Sequence, residues 1–312
     1  MALLCDIGPR MGFDESDTAV LVDLVRHHLL LPDIATRRDI GDAAVVEGVA
    51  EAVGSLGTLE LLAALTEADS LATGPSAWGS WKAELVAELV DRVAGVLRGE
   101  AEAPGRAEGG FPDAGVRQLL ATGETVVRGS GPHLTVVAPD RTGLFSRVAG
   151  VLSLRGLTVV GADALSDARM AASRFRVDVD DGVVIDWDTV AVEVRRALEG
   201  RLALDARLSD RARRPRQAAA LTLADAPRVR IDNGASAEST VVEVRAPDGP
   251  AVLYRITRAL ADLDLDIRLA KVATLGAEVL DTFYVRTAGG GKLHDRGHQR
   301  ELERAILHRL SS

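Results

Sequence analysis

Apolar residues in the first third of the chain recur at helical spacing. Thr18 to Leu31 places Val22, Val25 and Leu29 on one face, with Pro32 as the expected stop. Asp42 stands where it can cap a helix through Val53, and Gly54 follows that helix's end. Leu59, Leu62, Ala63 and Leu65 open a third helix, broken at Gly74-Pro75. A fourth runs from about Trp78 to Leu97, with Trp78, Trp81, Leu85, Leu89 and Val93 on one face. The two tryptophans read as core or interface residues. Residues 99–112 are rich in Gly, Ala and Glu and read as a linker.

From His133 the pattern changes from helical to strand-like. Leu134-Val137 predicts a strand, Thr142–Leu154 a helix stopped by Gly156, Leu157-Ala164 and Arg174-Asp180 two strands, and Asp186–Leu198 a second helix. The same pattern returns at a constant offset of 108 positions, as from Asp140 to Asp248. Val136, Ala138, Pro139, Asp140, Arg147, Leu152, Leu157, Ala162, Phe175 and Val177 reappear as Val244, Ala246, Pro247, Asp248, Arg255, Leu260, Leu265, Ala270, Phe283 and Val285. A repeat of this length is a duplicated small domain, since solenoid units are shorter. The β-α-β-β-α order predicts an antiparallel sheet with helices on one face. The last helix is expected from about Arg296 to Leu310. Between the copies, Arg201, Arg207, Arg211, Arg213, Arg214 and Arg216 read as an exposed connector.

Composition narrows the function. A chain of 312 residues has room for two or three domains, and 47% hydrophobic residues can fill their cores. Aromatics are only 3%, so those cores rest on Leu, Val and Ala. A net charge of −9 argues against nonspecific nucleic-acid binding. Cys5 is the single cysteine, which excludes an internal disulfide and fits a cytoplasmic protein. No apolar run approaches the length of a membrane span, so no membrane partner is expected.

The turn between strand and helix carries the candidate chemistry. Backbone N–H groups at the start of the helix lack intrahelical partners and favour an anion such as an amino-acid carboxylate. Asp140 can accept hydrogen bonds from the ligand's ammonium or, alternatively, cap the helix. Gly143 lets the ligand approach the backbone because no Cβ intrudes. The second copy keeps Asp248 but replaces the glycine with Ala251, which makes its turn the less favourable one. The candidate ligand set is therefore Asp140, Arg141, Gly143 and Leu144, with Asp248, Ala251 and Val252 in the second copy. Arg147 and Arg255 are expected on the exposed helix face.

The V-x-A-P-D turn followed by an apolar helix and two strands resembles the ACT domain, an amino-acid-binding regulatory fold. Asp140 and Gly143 match ligand-contacting positions of that family. Lys271-Val272-Ala273-Thr274-Leu275-Gly276 and Asp281-Thr282-Phe283-Tyr284-Val285 resemble the last ACT domain of the bifunctional [protein-PII] uridylyltransferase/uridylyl-removing enzymes. Val25-Arg26-His27-His28-Leu29-Leu30, Arg37-Arg38-Asp39-Ile40, Thr66-Glu67-Ala68-Asp69 and Trp78-Gly79-Ser80-Trp81-Lys82 follow the order found at the end of those enzymes' HD domain. The resemblance implies an α+β chain: an all-α, incomplete HD-like domain over 1–100, a linker over 101–130, a ferredoxin-like ACT domain over 131–200, a second linker over 201–236, and a second ACT domain over 237–312. It implies L-glutamine as ligand, PII as partner and nitrogen signalling as process. Uridylylation and adenylylation of PII stay open, as does an ACT-mediated homodimer.

The departures from the family are equally specific. No segment ahead of the helical region offers the paired aspartates of the nucleotidyltransferase domain, so no transfer to PII is expected from these residues. Cys5-Asp6-Ile7 stands where His-Asp-Ile belongs, and Gly8-Pro9-Arg10 leads straight into a later helix, as if a segment were missing. The resemblance leaves Asp6, His28 and Asp69 as possible metal ligands. With Mg2+ or Mn2+ they would have to activate a water against a phosphodiester. A lone thiolate is a poor exchange for imidazole with those ions. The expectation is no resident cofactor and a regulatory role. A residual PII-nucleotide phosphohydrolase and a structural ACT dimeriser are the competing readings.

Overall fold

The computed structural model describes residues 2–73, 80–100, 111–166, 169–179, 183–212, 226–275 and 278–311. It divides into Met1–Ala107 and Glu108–Ser312.

The first unit is helical: α1 (Ala2–Arg10), α2 (Glu15–His27), α3 (Leu30–Arg37), α4 (Ala43–Val53), α5 (Leu56–Thr73) and α6 (Ser80–Leu97). Leu31, Val46, Leu59, Leu62, Leu89 and Val93 form its core. Asp42 caps α4 by accepting from the Ala44 N–H at 3.0 Å, and Gly54 ends the helix with φ +74°. The single helix expected from Thr18 to Leu31 is instead two. The break falls at His28-Leu29, and Pro32 sits in the first turn of α3, where a missing N–H has no intrahelical role. Residues of α1 received no helical expectation. Here Gly8 allows α1 to lie against α2, since a Cβ on it would come within 2.6 Å of Thr18 Oγ1. Gly74-Pro75 and Trp78 lie outside the described residues, as does the side chain of Trp81.

The second unit begins with α7 (Ala114–Thr122), β1 (Val126–Ser130), β2 (His133–Pro139), α8 (Leu144–Leu154), β3 (Val159–Ser166), β4 (Met170–Val177) and α9 (Trp187–Leu198). After α10 (Leu204–Ala212) come β5 (Arg228–Asp232), β6 (Thr240–Pro247), α11 (Val252–Asp262), β7 (Leu265–Leu275), β8 (Glu278–Thr287) and α12 (Arg296–Ser311). The two copies build one antiparallel sheet of eight strands in the order β1-β2-β4-β3-β7-β8-β6-β5. The halves meet at β3 and β7, where Ala162 pairs with Ala270, its own counterpart in the other copy. The joint is thus self-complementary, as in a two-fold dimer, but within one chain. Both copies also break register at the same place, between Val159 and Gly161 and between Ile267 and Leu269.

Alternation along the strands separates two faces. Leu134, Val136, Phe175 and Val177 point to the helices α8 and α9, and Val242, Val244, Phe283 and Val285 to α11 and α12, all in one continuous core. Val137, Met170 and Ala172 face the other way and pack with Val116 of α7. The segments expected to be linkers therefore carry structure. α7 and β1 fall within 101–130, while α10 and β5 fall within 201–236. Leu204 and Leu208 of α10 are buried in the common core. Of the arginine run, Arg207 lies 3.9 Å from Glu193 and Arg211 donates to the Leu154 carbonyl at 2.9 Å. Arg213, Arg214 and Arg216 lie outside the described residues. Among the described residues no single helix is long and apolar enough to cross a membrane.

Candidate functional site

Asp140 and Asp248 occupy equivalent turns at the entries to α8 and α11. Gly143 is the N-cap residue of α8 with φ +83°, and Ala251 takes the same left-handed place before α11 with φ +59°. Neither helix has a side-chain cap hydrogen bond. Asp140 therefore does not cap α8. Its carboxylate instead accepts a short hydrogen bond from Ser166 Oγ at the end of β3. Leu144 and Val252 bury their side chains in the core, so they present only backbone to the turns. Arg141 and Arg147 donate to the Leu198 and Ala197 carbonyls at the C-terminal end of α9, the latter at 2.7 Å. Arg147 is only partly exposed, contrary to its expected place on the solvent face.

Each turn opens on a cavity at the joint between the copies, and the two cavities are related by the same 108-residue offset. The first is lined by Asp140, Gly143 and Ser173 from one copy and Thr257, Ala261 and Asp266 from the other. The second is lined by the counterparts: Asp248, Ala251 and Asp281, facing Ala149, Ser153 and Thr158. Their sizes differ greatly. The first holds about 30 Å³, enough for little more than a water, and the second about 560 Å³. Gly143 suggested the first turn as the more favourable one, whereas the larger cavity lies at the turn with alanine. Ala251 lines the larger cavity while holding a left-handed backbone, φ +59°.

The electrostatics differ as well. In the first cavity Asp266 is pushed above the usual carboxylate range, by burial first and then by the nearby Asp140. The second cavity brings Asp248, Asp281 and Arg211 to one space, a mixture of both charges. Asp281 is buried, 1% exposed, on the strand face that also carries Val279, Phe283 and Val285. Arg211 reaches the cavity from α10, outside either copy, and Gly156 makes room for it, since a Cβ there would lie 2.8 Å from Arg211 Nη2. Tyr254 donates to Asp205 Oδ1 at 2.8 Å, and burial together with that contact keeps its hydroxyl protonated. Arg211, Tyr254 and Asp281 were missed by sequence reasoning. Asp281 did leave a signal: a carboxylate at the inward parity of a strand otherwise lined with Val and Phe.

In the helical unit, Asp6, His28 and Asp69 are all exposed, and His28 Nδ1 lies 2.8 Å from its own helix's Val25 carbonyl. Among the described residues no group of three or more His, Cys, Asp or Glu is gathered where it could hold a metal ion. The possible ligand set Asp6, His28 and Asp69 thus does not converge, and Cys5 is an exposed free thiol. These residues do not fit an HD metal centre.

No family model matches the chain. A solved protein from Galdieria sulphuraria and the regulatory subunit of aspartate kinase from Thermus thermophilus overlap it at TM-scores of 0.20 and 0.17 with 15% and 16% identity, covering 57% and 59% of this chain and 89% and 99% of theirs. Overlap at that level carries no argument, and the fold rests on element order and strand pairing. Curated relatives are more informative. The bifunctional uridylyltransferase/uridylyl-removing enzyme of Streptomyces coelicolor is 39% identical over an alignment of 350 positions, covering 92% of this chain and 40% of that protein. The Mycobacterium tuberculosis enzyme of the same name is 35% identical, covering 91% and 37%, and that of Gluconobacter oxydans 31%, covering 99% and 38%. An alignment of 350 positions exceeds the 312 residues present here, so the Streptomyces protein carries stretches that this chain lacks. By sequence the chain belongs to the bifunctional uridylyltransferase/uridylyl-removing enzyme family, and it spans about two fifths of the length of those relatives.

Proposed function

We propose that this chain is the glutamine-sensing C-terminal portion of a PII-modifying protein, and that L-glutamine binds beneath the Asp248 turn. The observation that supports this is the pair of equivalent cavities at the repeat joint, of which the one beside Asp248 has about 560 Å³. An amino acid there meets complementary groups at both ends. Its ammonium faces Asp248, and its carboxylate faces the free backbone donors at the start of α11 and the Arg211 guanidinium. PII is the protein whose modification such a sensor would regulate, as the family's resemblance implies. No metal-dependent step is assigned to the helical unit, because its candidate ligands do not converge.

Within this chain β3 of the first copy pairs with β7 of the second, and the Asp248 cavity is lined by residues of both copies. The test is isothermal titration of L-glutamine against the full chain and two variants. Loss of a charge-assisted contact costs about 1.5–3 kcal/mol, or roughly tenfold or more in affinity. Asp248→Ala should show that loss, and Asp140→Ala should change affinity less. Equal losses would spread the site over both turns. No binding by the unaltered protein would remove the sensing reading and leave the two copies as a structural module.

A further inference from the structure

We propose that the cavity between α10, α11 and α12 is a second ligand site, one that takes the phosphate group of a small organic molecule. It holds about 310 Å³, the low end of the roughly 300–1,000 Å³ that ligand cavities occupy. Arg255 of α11, His308 and Arg309 of α12 and Ser209 of α10 line it, and Asp205 contributes a carboxylate. The cavity shares Pro250, Ala251 and Tyr254 with the Asp248 cavity, but its ligand does not depend on what that cavity binds.

Divergence between the copies leaves Arg255 available. Its counterpart Arg147 donates to the Ala197 carbonyl at 2.7 Å, in the last turn of α9, where carbonyls lack intrahelical partners. Helix α12 continues to Ser311, past Ile306, the counterpart of Leu198. Ala305, the counterpart of Ala197, therefore lies inside a helix whose backbone engages its carbonyl. Among the described residues Arg255 makes no side-chain hydrogen bond or ion pair, although it is half-buried. The other charges are already placed. Arg309 is held by Asp262 at 2.5 Å, and Asp205 accepts from the Tyr254 hydroxyl at 2.8 Å with Arg309 4.0 Å away. Donors thus come to one space from three helices. A planar carboxylate is satisfied by a single guanidinium fork, whereas a phosphate presents oxygens in several directions and suits donors from different elements.

The experiment titrates inorganic phosphate and, separately, succinate against the full chain at constant ionic strength. Arg255→Gln and Arg147→Gln are compared with the unaltered chain, with thermal unfolding of each. The unaltered chain should bind phosphate and favour it over succinate. Arg255→Gln should lose about tenfold or more in phosphate affinity, as for the removal of a charge-assisted contact, while its unfolding midpoint stays unchanged. Arg147→Gln should do the reverse, lowering the midpoint and leaving phosphate affinity as it was. No phosphate binding by the unaltered chain, or an Arg255→Gln chain that binds as tightly, would overturn the site. Succinate binding as tight as that of phosphate would overturn the assignment of a phosphate group.

Discussion

The two turns at Asp140 and Asp248 have nearly the same backbone and very different surroundings. Duplication preserved the strand, the left-handed N-cap position and the helix that follows. Side-chain divergence did the rest. Around the first turn, Ser166 engages Asp140 and Asp266 approaches from the other copy, and the cavity is small. Around the second, Thr158 replaces the approaching carboxylate, Asp281 replaces Ser173, and α10 adds Arg211. One backbone motif thus supports a small pocket and a large one. A motif match identifies where a ligand site can be, while the neighbours across the joint decide whether there is space for it.

The largest test of the comparison concerns the two cores. Phe175 and Phe283 are equivalent and fully buried. Truncating either to alanine should cost about 3–5 kcal/mol in denaturant unfolding. The first copy should lose more. Phe175 packs against Phe145 as a tilted ring pair with centroids 4.6 Å apart, and such pairs contribute about 0.5–1.5 kcal/mol beyond burial. The second copy has Leu253 in place of Phe145. Equal losses would show that the ring pair contributes nothing beyond its area.

Much of this architecture could be read from residues alone, and the misses have physical causes. The helix from Asp42 to Gly54 was read from its capping residues because caps act locally. The α8 and α11 turns were read from the repeat. β1 and β5 were missed because five residues such as Arg228–Asp232 hold too little alternation to stand out. Helix α10 was missed because it lies within the arginine-rich run from Arg201 to Arg216, although Leu204 and Leu208 lie four apart, both buried. The sites fared worse than the fold. Cavity volume depends on contacts across the β3–β7 joint, between residues about a hundred positions apart, and no local pattern reports those. Gly143 suggested the more accessible turn, yet access there is set by Thr257, Ala261 and Asp266.

A middle-sized effect should come from exchanging the two N-cap residues. Ala251 holds φ +59°, a region that costs a residue with a Cβ about 1–2 kcal/mol. Ala251→Gly relieves that cost and adds some chain entropy to the unfolded state, so a net gain of about 0.5–1 kcal/mol is expected in thermal unfolding. Gly143→Ala should lose a similar amount through φ alone, since an added Cβ would meet nothing closer than 3.5 Å. If Ala251→Gly destabilises the protein, the left-handed strain is not what distinguishes the two turns.

The smallest effect is the pH response of Asp266, which has Thr158 as its counterpart and therefore exists at one cavity alone. Burial and Asp140 raise its folded-state pKa above the model-peptide value of 3.8. The sign follows from which state holds the proton more tightly. With the folded value above the unfolded one, the folded protein binds a proton over the window between them. Ionised Asp266 therefore opposes folding at neutral pH, and that opposition is relieved as pH falls through the raised folded value toward 3.8. Asp113 behaves oppositely. Its hydrogen bond from Arg174 and that from the Val116 N–H lower its pKa, so its contribution is present above the unfolded value and is lost as pH falls through the folded one. Asp266→Asn should raise stability slightly at pH 7 and reduce the relative gain on mild acidification, measured by denaturant unfolding at several pH values. A variant with the same pH profile as the unaltered chain would show that burial and Asp140 do not raise the Asp266 pKa.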